Sequence, residues 1–170
     1  ILRTLGVEQP VDSVEADVGS AEMGIEAAMR TYTRAGIDTS RVQFADGSGL
    51  SRHNLVTPAA IVQLLAYMWN HPDAAVSSAF YSSLPIGGHN GTLEYRFRGT
   101  ARARGRVRAK TGTLSNVSAL SGYVKRGDGS PLAFALLCNH YVTKTRRARQ
   151  AQDLIVKALA GDPVVPERGR

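Results

Sequence analysis

The chain has 170 residues, 43% of them hydrophobic and 21% charged, which suits a soluble globular domain with a real core. No apolar run is long enough to cross a bilayer as a helix, and a single cysteine, Cys138, excludes an intrachain disulfide. The net charge of +7 is uneven: up to Asp46 there are 8 acidic and 4 basic residues, and the excess of positive charge lies beyond it, much of it in Arg96, Arg98, Arg102, Arg104, Arg106, Arg108 and Lys110. Such a block favours anionic partners, whether nucleic acid, an anionic polymer or a carboxylate substrate, although only Tyr95 and Phe97 offer aromatic surface beside it. A solvated basic loop explains the same residues.

The start, Ile1-Leu2-Arg3-Thr4-Leu5-Gly6, has no methionine and reads as the last turns of a helix closed by Gly6, so the chain is expected to be a piece of a longer polypeptide. Val7 to Gly19 is polar and reads as loop. Ser20 is a helix cap, Ile25, Met29 and Tyr32 mark a core face, and Gly36 is the stop. Val42 to Phe44 is a short strand. In Asp46-Gly47-Ser48-Gly49-Leu50-Ser51-Arg52 two glycines flank a serine in a sharp turn, where Asp46 and Ser51 can bond local amides. The G-x-S-x-G pattern is absent, so Ser48 reads as a turn residue, and His53 as a solvated loop histidine.

Thr57-Pro58 opens a helix with Ile61, Leu64, Leu65 and Met68 as its stripe, ended by Pro72, and Ala74 to Tyr81 is another short helix. Leu84 to Thr92 is a glycine-rich loop without the lysine or spacing of a phosphate loop, and Thr92 is expected to cap a short helix running into the arginine block. Val107 to Val124 reads as two strands joined by the polar turn Ser115-Asn116. Gly127-Asp128-Gly129 marks the next turn. Leu132 to Cys138 is continuously apolar, as in a strand buried on both faces. Cys138 in it reads as a packed small hydrophobe. The last helix is expected to turn Ala151, Leu154, Ile155 and Leu159 inward, with Gly161, Pro163 and Pro166 ending the fold. The fold class is α/β in the α+β sense: helices, then an antiparallel strand trio, then a covering helix.

The chemistry centres on Lys110-Thr111-Gly112-Thr113. Strand alternation sends Lys110 and Gly112 to one face and Thr111 and Thr113 to the other. The glycine lets another backbone or a ligand approach, the lysine sets an ammonium beside that gap, and the threonines add hydroxyl donors. Together they suit an extended substrate ending in a carboxylate. A strand with an exposed lysine and a tolerated glycine is the plainer reading of the tripeptide alone.

Asp46-Gly47-Ser48-Gly49-Leu50-Ser51-Arg52-His53-Asn54, Leu84-Pro85-Ile86-Gly87-Gly88, Gly91-Thr92-Leu93, Ala109-Lys110-Thr111-Gly112-Thr113-Leu114 and Leu120-Ser121-Gly122-Tyr123-Val124 occur in one order along the chain. In this the chain resembles the C-terminal part of the D-alanyl-D-alanine carboxypeptidase/endopeptidase family, the class C low-molecular-mass penicillin-binding proteins. The resemblance covers nearly all of residues 1–170. It implies part of a β-lactamase/transpeptidase-like fold lacking N-terminal strands. It implies a serine-type peptidase acting on peptidoglycan stem peptides through an acyl-enzyme, β-lactams as inhibitors, no metal or organic cofactor, and a periplasmic or otherwise extracytoplasmic place. Lys110-Thr111-Gly112 matches the family's third motif. Lys110 would then hold positive potential near the nucleophile and the substrate carboxylate, Thr111 or Thr113 would bond that carboxylate, and the Thr113 N–H would be one arm of the oxyanion hole.

The family's S-x-x-K and S-x-N motifs are absent from this sequence; Ser51-Arg52-His53-Asn54 is one residue too long for the second. The nucleophile and its base are therefore expected upstream of Ile1, and the chain alone is expected to be inactive. The competing readings are a basic nucleic-acid-binding module built on Arg96 to Lys110 and a non-catalytic cell-wall binding domain.

Overall fold

The computed structural model describes residues 20–99 and 102–162, so the expected helix end at Gly6, the loop to Gly19 and the closing prolines lie outside the described residues. The chain divides into two compact units, one ending at Tyr67 and one beginning at Met68.

In the first unit, helix α1 is Ala21–Arg34, and the Ser20 hydroxyl accepts the Met23 N–H at 3.2 Å as its cap. Gly36, at φ 72°, lies just beyond its end. The helix buries Gly24 and Ala27 fully and Ile25, Met29 and Tyr32 only in part, because the small residues lie where the chain packs closest. A short 3₁₀ turn, Thr39–Arg41, leads into β1 (Val42–Gln43), which pairs antiparallel with β2 (Leu55–Val56). The glycine–serine loop is thus the connection of a small hairpin; its returning strand carries no alternation in the sequence to announce it. Helix α2 (Pro58–Trp69) starts at Thr57, whose hydroxyl accepts the Ala60 N–H at 3.2 Å.

In the second unit, α3 (Ala74–Ser83) is capped by Asp73, whose carboxylate accepts the Ala75 N–H at 2.8 Å. No helix follows Thr92: Gly91–Leu93 is one 3₁₀ turn, with Asn90 rather than Thr92 before it. The Asn90 amide oxygen instead accepts the Ile86 N–H at 2.7 Å, tying the glycine-rich loop to itself. Three antiparallel strands follow, β3 (Val107–Leu114), β4 (Val117–Lys125) and β5 (Pro131–Asn139), in the order β3-β4-β5. Leu114 pairs with Val117, so Ser115-Asn116 is a two-residue turn, and Asn116 takes its left-handed conformation at φ 59°.

Helix α4 (Thr145–Leu159) covers one face of this sheet. Its buried positions are Ala148, Gln152 and Val156, with Ala160 just past its end; of the expected Ala151, Leu154, Ile155 and Leu159, Leu159 packs against the core, whereas Ala151 is exposed and Ile155 is 47% exposed. A polar residue inside the stripe hid the true face. Gln152 is buried because its amide donates to the Ser118 carbonyl at 2.9 Å, so its polar atoms are satisfied. Val107, Ala109, Leu120, Val124, Phe134 and Val156 form the centre of the core, and full burial of a residue such as Leu120 contributes roughly 2 kcal/mol. Strand β5 is not buried on both faces: Phe134 alone is fully buried, and Ala133, Ala135 and Leu137 on the opposite face are half-buried. It is the last strand of the sheet among the described residues, so its continuous apolar run reflects small residues on a partly covered face.

Candidate functional site

Lys110 to Thr113 occupy the second half of β3, the outer strand of the sheet among the described residues. Along the first half of the strand that edge is covered. The Ala109 N–H donates to the Pro85 carbonyl at 3.1 Å and the Val107 carbonyl accepts from the Gly87 N–H at 2.9 Å. The Pro85–Gly87 strap can lie this close because Gly87 has no Cβ, which would meet Phe97 at 2.9 Å and Val107 at 3.3 Å. The strap reaches no further than Ala109.

Backbone groups in an antiparallel pair alternate between facing the partner and facing away. Val107 and Ala109 face away from β4, since they bond the strap; Thr111 and Thr113 share their parity and therefore turn their N–H and C=O groups to the same open side. Beyond Ala109 this edge is uncovered among the described residues. The stretch singled out by its chemistry is thus also the stretch where, among the described residues, no strand pairs with the outer edge of β3.

Side chains follow the expected alternation. Val107 and Ala109 point into the core beneath α4; Thr113 is on that side too, and its hydroxyl accepts from Arg149 Nη2 at 3.1 Å. Lys110 and Gly112 lie on the other face, opposite Ser121 and Ala119. Lys110 is exposed, has no carboxylate among the described residues within ion-pair distance, and folds its ammonium over the edge, donating from Nζ to the Thr111 carbonyl at 2.7 Å. A Cβ on Gly112 would have only the Ala119 Cβ near it, at 3.3 Å, so the glycine leaves that face open. The result is an ammonium, two hydroxyls and two outward N–H groups along one bare strand edge, able to bind an extended chain by strand addition and to hold an anionic end.

Several arginines of the block have partners within the chain. Arg96 pairs with Asp153 at 2.6 Å, Arg98 with Glu94 at 3.1 Å, and Arg102 Nη1 donates to the Gly161 carbonyl at 2.7 Å. Arg108 lies over the Tyr81 ring at 4.8 Å, beside the Trp69–Tyr81–Tyr123 aromatic group. Burial of Tyr123, with Tyr81 beside it, pushes its phenol up to about 12. Arg98, Arg102, Arg104 and Arg106 stay exposed, so internal partners account for only part of the basic run.

In the first unit Asp46 to Asn54 is a self-contained network. Asp46 Oδ1 accepts from Asn54 Nδ2 at 2.8 Å and from the Ser48 N–H at 3.1 Å, while Oδ2 accepts from the Ser48 hydroxyl at 2.9 Å. Asn54 Oδ1 accepts the Ala45 and Asp46 N–H groups at 2.7 and 3.1 Å. Hydrogen bonds from Asn54 and Ser48 hold the Asp46 carboxyl below the usual range. The Ser48 hydroxyl also accepts the Leu50 N–H, so it acts as a turn residue, and His53 is exposed. A cleft of about 340 Å³ beside this loop is lined by Ile25, Tyr32, Phe44, Asp46 and Asn54, among others.

The sequence reading missed the strap over β3 and the contact of Arg149 with Thr113. Gly87-Gly88 was a faint signal for the first; 36 residues separate Arg149 from Thr113, and nothing local signals their meeting.

Comparison with known proteins gives one consistent result. The model of the D-Ala-D-Ala carboxypeptidase 3 (S13) family matches residues 6–161. A D-alanyl-D-alanine carboxypeptidase from an Actinomadura species is 43% identical over 150 residues, 85% of this chain and 27% of that protein. Carboxypeptidase DacB of Mycolicibacterium smegmatis is 33% identical over 82% of this chain and 31% of its own length. The crystal structure of penicillin binding protein 4 (DacB) from Haemophilus influenzae superposes with a TM-score of 0.65 at 32% identity, covering 78% of this chain and 30% of that one. The same protein has been solved in complex with a β-lactam at the same TM-score of 0.65. The chain spans under a third of the length of these relatives.

Proposed function

Because the chain belongs to the D-Ala-D-Ala carboxypeptidase 3 (S13) family, we propose that it is the substrate-strand portion of a serine-type carboxypeptidase/endopeptidase that cleaves D-Ala-D-Ala peptides of peptidoglycan. The observation that carries the reading is the β3 edge, where Thr111 and Thr113 turn outward, beside the Lys110 ammonium, main chain that no neighbouring strand among the described residues pairs.

The peptide adds along β3, its backbone paired with the Thr111 and Thr113 main chain. Its terminal carboxylate meets the Lys110 ammonium and the threonine hydroxyls. The scissile carbonyl oxygen takes the Thr113 N–H as one arm of an oxyanion hole, an interaction worth about 3 kcal/mol in the transition state. A serine from another part of the complete polypeptide attacks, D-alanine leaves with the serine's proton, and water then hydrolyses the serine ester. Neither S-x-x-K nor S-x-N occurs in this sequence, so residues 1–170 by themselves neither hydrolyse peptide nor react with β-lactam. Residues 1–170 are in this reading the C-terminal portion of the penicillin-binding domain, extracytoplasmic like the wall peptide it meets. β-Lactams, mimics of the peptide, acylate the same serine.

The test is acylation of the polypeptide that carries this segment. A fluorescent penicillin is expected to label it covalently, and a D-Ala-D-Ala-terminated peptide to release D-alanine. A longer chain that contains S-x-x-K and neither labels nor releases D-alanine ends the proposal.

A further inference from the structure

Arg149 stands at the first turn and a half of α4 and reaches across to β3, where Nη2 donates to the Thr113 hydroxyl at 3.1 Å. It comes from the α4 face, whereas Lys110 lies on the opposite face of the same strand. No carboxylate among the described residues is within ion-pair distance of Arg149; Asp153, one turn on, is taken by Arg96 at 2.6 Å. A guanidinium has five N–H donors in a planar fork, and this contact uses one of them. The hydroxyl that accepts from Arg149 keeps its own proton to donate. Arg149 is exposed, so an anion arriving at the Thr113 edge meets its remaining donors without rearrangement of the core.

We propose that Arg149 is a specificity-determining residue for the anionic end of the peptide, a second cation that works with the Thr113 hydroxyl to select a free terminal carboxylate over an uncharged end. The proposal rests on the carboxypeptidase reading above. Its chemistry is that of a charge-assisted hydrogen bond to carboxylate, with Thr113 as the shared partner.

The experiment uses the complete polypeptide and two peptides that differ only at their C-terminus, D-Ala-D-Ala with a free carboxylate and its carboxamide. Arg149→Gln keeps a donor for Thr113 and removes the charge. It is expected to lower kcat/KM for the free acid about ten- to a hundredfold, mostly through KM, and to leave the carboxamide within about twofold. Arg149→Lys is expected to restore part of the loss, and Arg146→Ala, on the same helix and exposed, to change neither peptide. Equal losses on both peptides, or no loss on either, overturn the role of Arg149 and leave the carboxypeptidase reading standing. A wild-type polypeptide that cleaves neither peptide and takes no penicillin overturns that reading, and this inference with it.

Discussion

Gly122 on β4 sits so close to Ala109 on β3 that a Cβ on the glycine would lie 2.1 Å from the Arg108 carbonyl oxygen and 2.8 Å from the Ala109 Cβ. The strand bearing Lys110 is therefore seated against a bare position on β4, opposite the residue that precedes the lysine. Gly122→Ala cannot be accommodated by a side-chain rotation, since the atoms it meets are mostly backbone. The variant is expected to lose about 2–3 kcal/mol in urea unfolding, from overpacking of a close strand pair. Gly112→Ala meets only the Ala119 Cβ at 3.3 Å and is expected to cost under about 1 kcal/mol. If Gly112 is open for a ligand, this second, well-folded variant loses acylation while the first loses stability.

Lys110 is exposed and, among the described residues, bonds the carbonyl of its neighbour Thr111. Lys110→Ala is accordingly expected to change stability by less than about 0.5 kcal/mol. If its ammonium faces the anionic end of a bound peptide, the same change lowers the rate of penicillin acylation of the complete polypeptide roughly a hundredfold. Stopped-flow labelling beside a thermal melt separates the two effects, and an unchanged labelling rate removes Lys110 from the site.

Much of the local structure is legible from local rules, and what is not depends on distant partners. The cap at Ser20, the turn at Ser115-Asn116 and the alternation along Lys110 to Thr113 each follow from a few neighbouring residues, and the structure keeps them. The inner face of α4 was only partly placed, at Leu159, because its pattern contains Gln152, whose burial makes sense only beside the Ser118 carbonyl on β4. The arginines from Arg96 to Arg108 read as one basic run because sequence shows their spacing and not their partners, such as Asp153 for Arg96 and the Tyr81 ring for Arg108. β5 looked two-sided because its outer residues are alanines and leucines, while the sheet among the described residues ends there.

The Arg96–Asp153 pair ties the start of the arginine run to α4, with side chains only 12% and 19% exposed. Burial raises the Asp153 carboxyl above its usual range, and Arg96 opposes that rise. Arg96→Ala leaves a largely buried carboxylate without its hydrogen-bonded partner, with only the weaker pull of Lys157 and Arg149, and is expected to cost roughly 3 kcal/mol at neutral pH. A group whose folded pKa is raised is most favourable below its unfolded value and becomes a burden as pH climbs through the folded one. The penalty of Arg96→Ala should therefore be smaller near the ordinary carboxylate range than at neutrality, and adding Asp153→Asn should recover part of it. Urea midpoints across that range check both statements; a penalty independent of pH assigns the loss to packing instead.

Asn54 holds the Asp46 loop from both ends of its amide, accepting two main-chain N–H groups and donating to the Asp46 carboxylate. Asn54→Ala leaves those two N–H groups without their acceptor, an expected cost of about 1–2 kcal/mol to the hairpin it closes. Asp46 is held below its ordinary pKa, first by Asn54 and then by Ser48. A depressed carboxyl stabilises the fold above its unfolded pKa, and that contribution fades as pH falls through the folded value. Removing Asn54 raises the Asp46 pKa towards ordinary, so the loop should loosen at a higher pH in the variant than in the wild type. An NMR titration following the Asp46 side-chain carboxyl and the Ser48 amide reads both changes. If the Asp46 midpoint stays put in Asn54→Ala, Ser48 and not Asn54 governs that carboxylate.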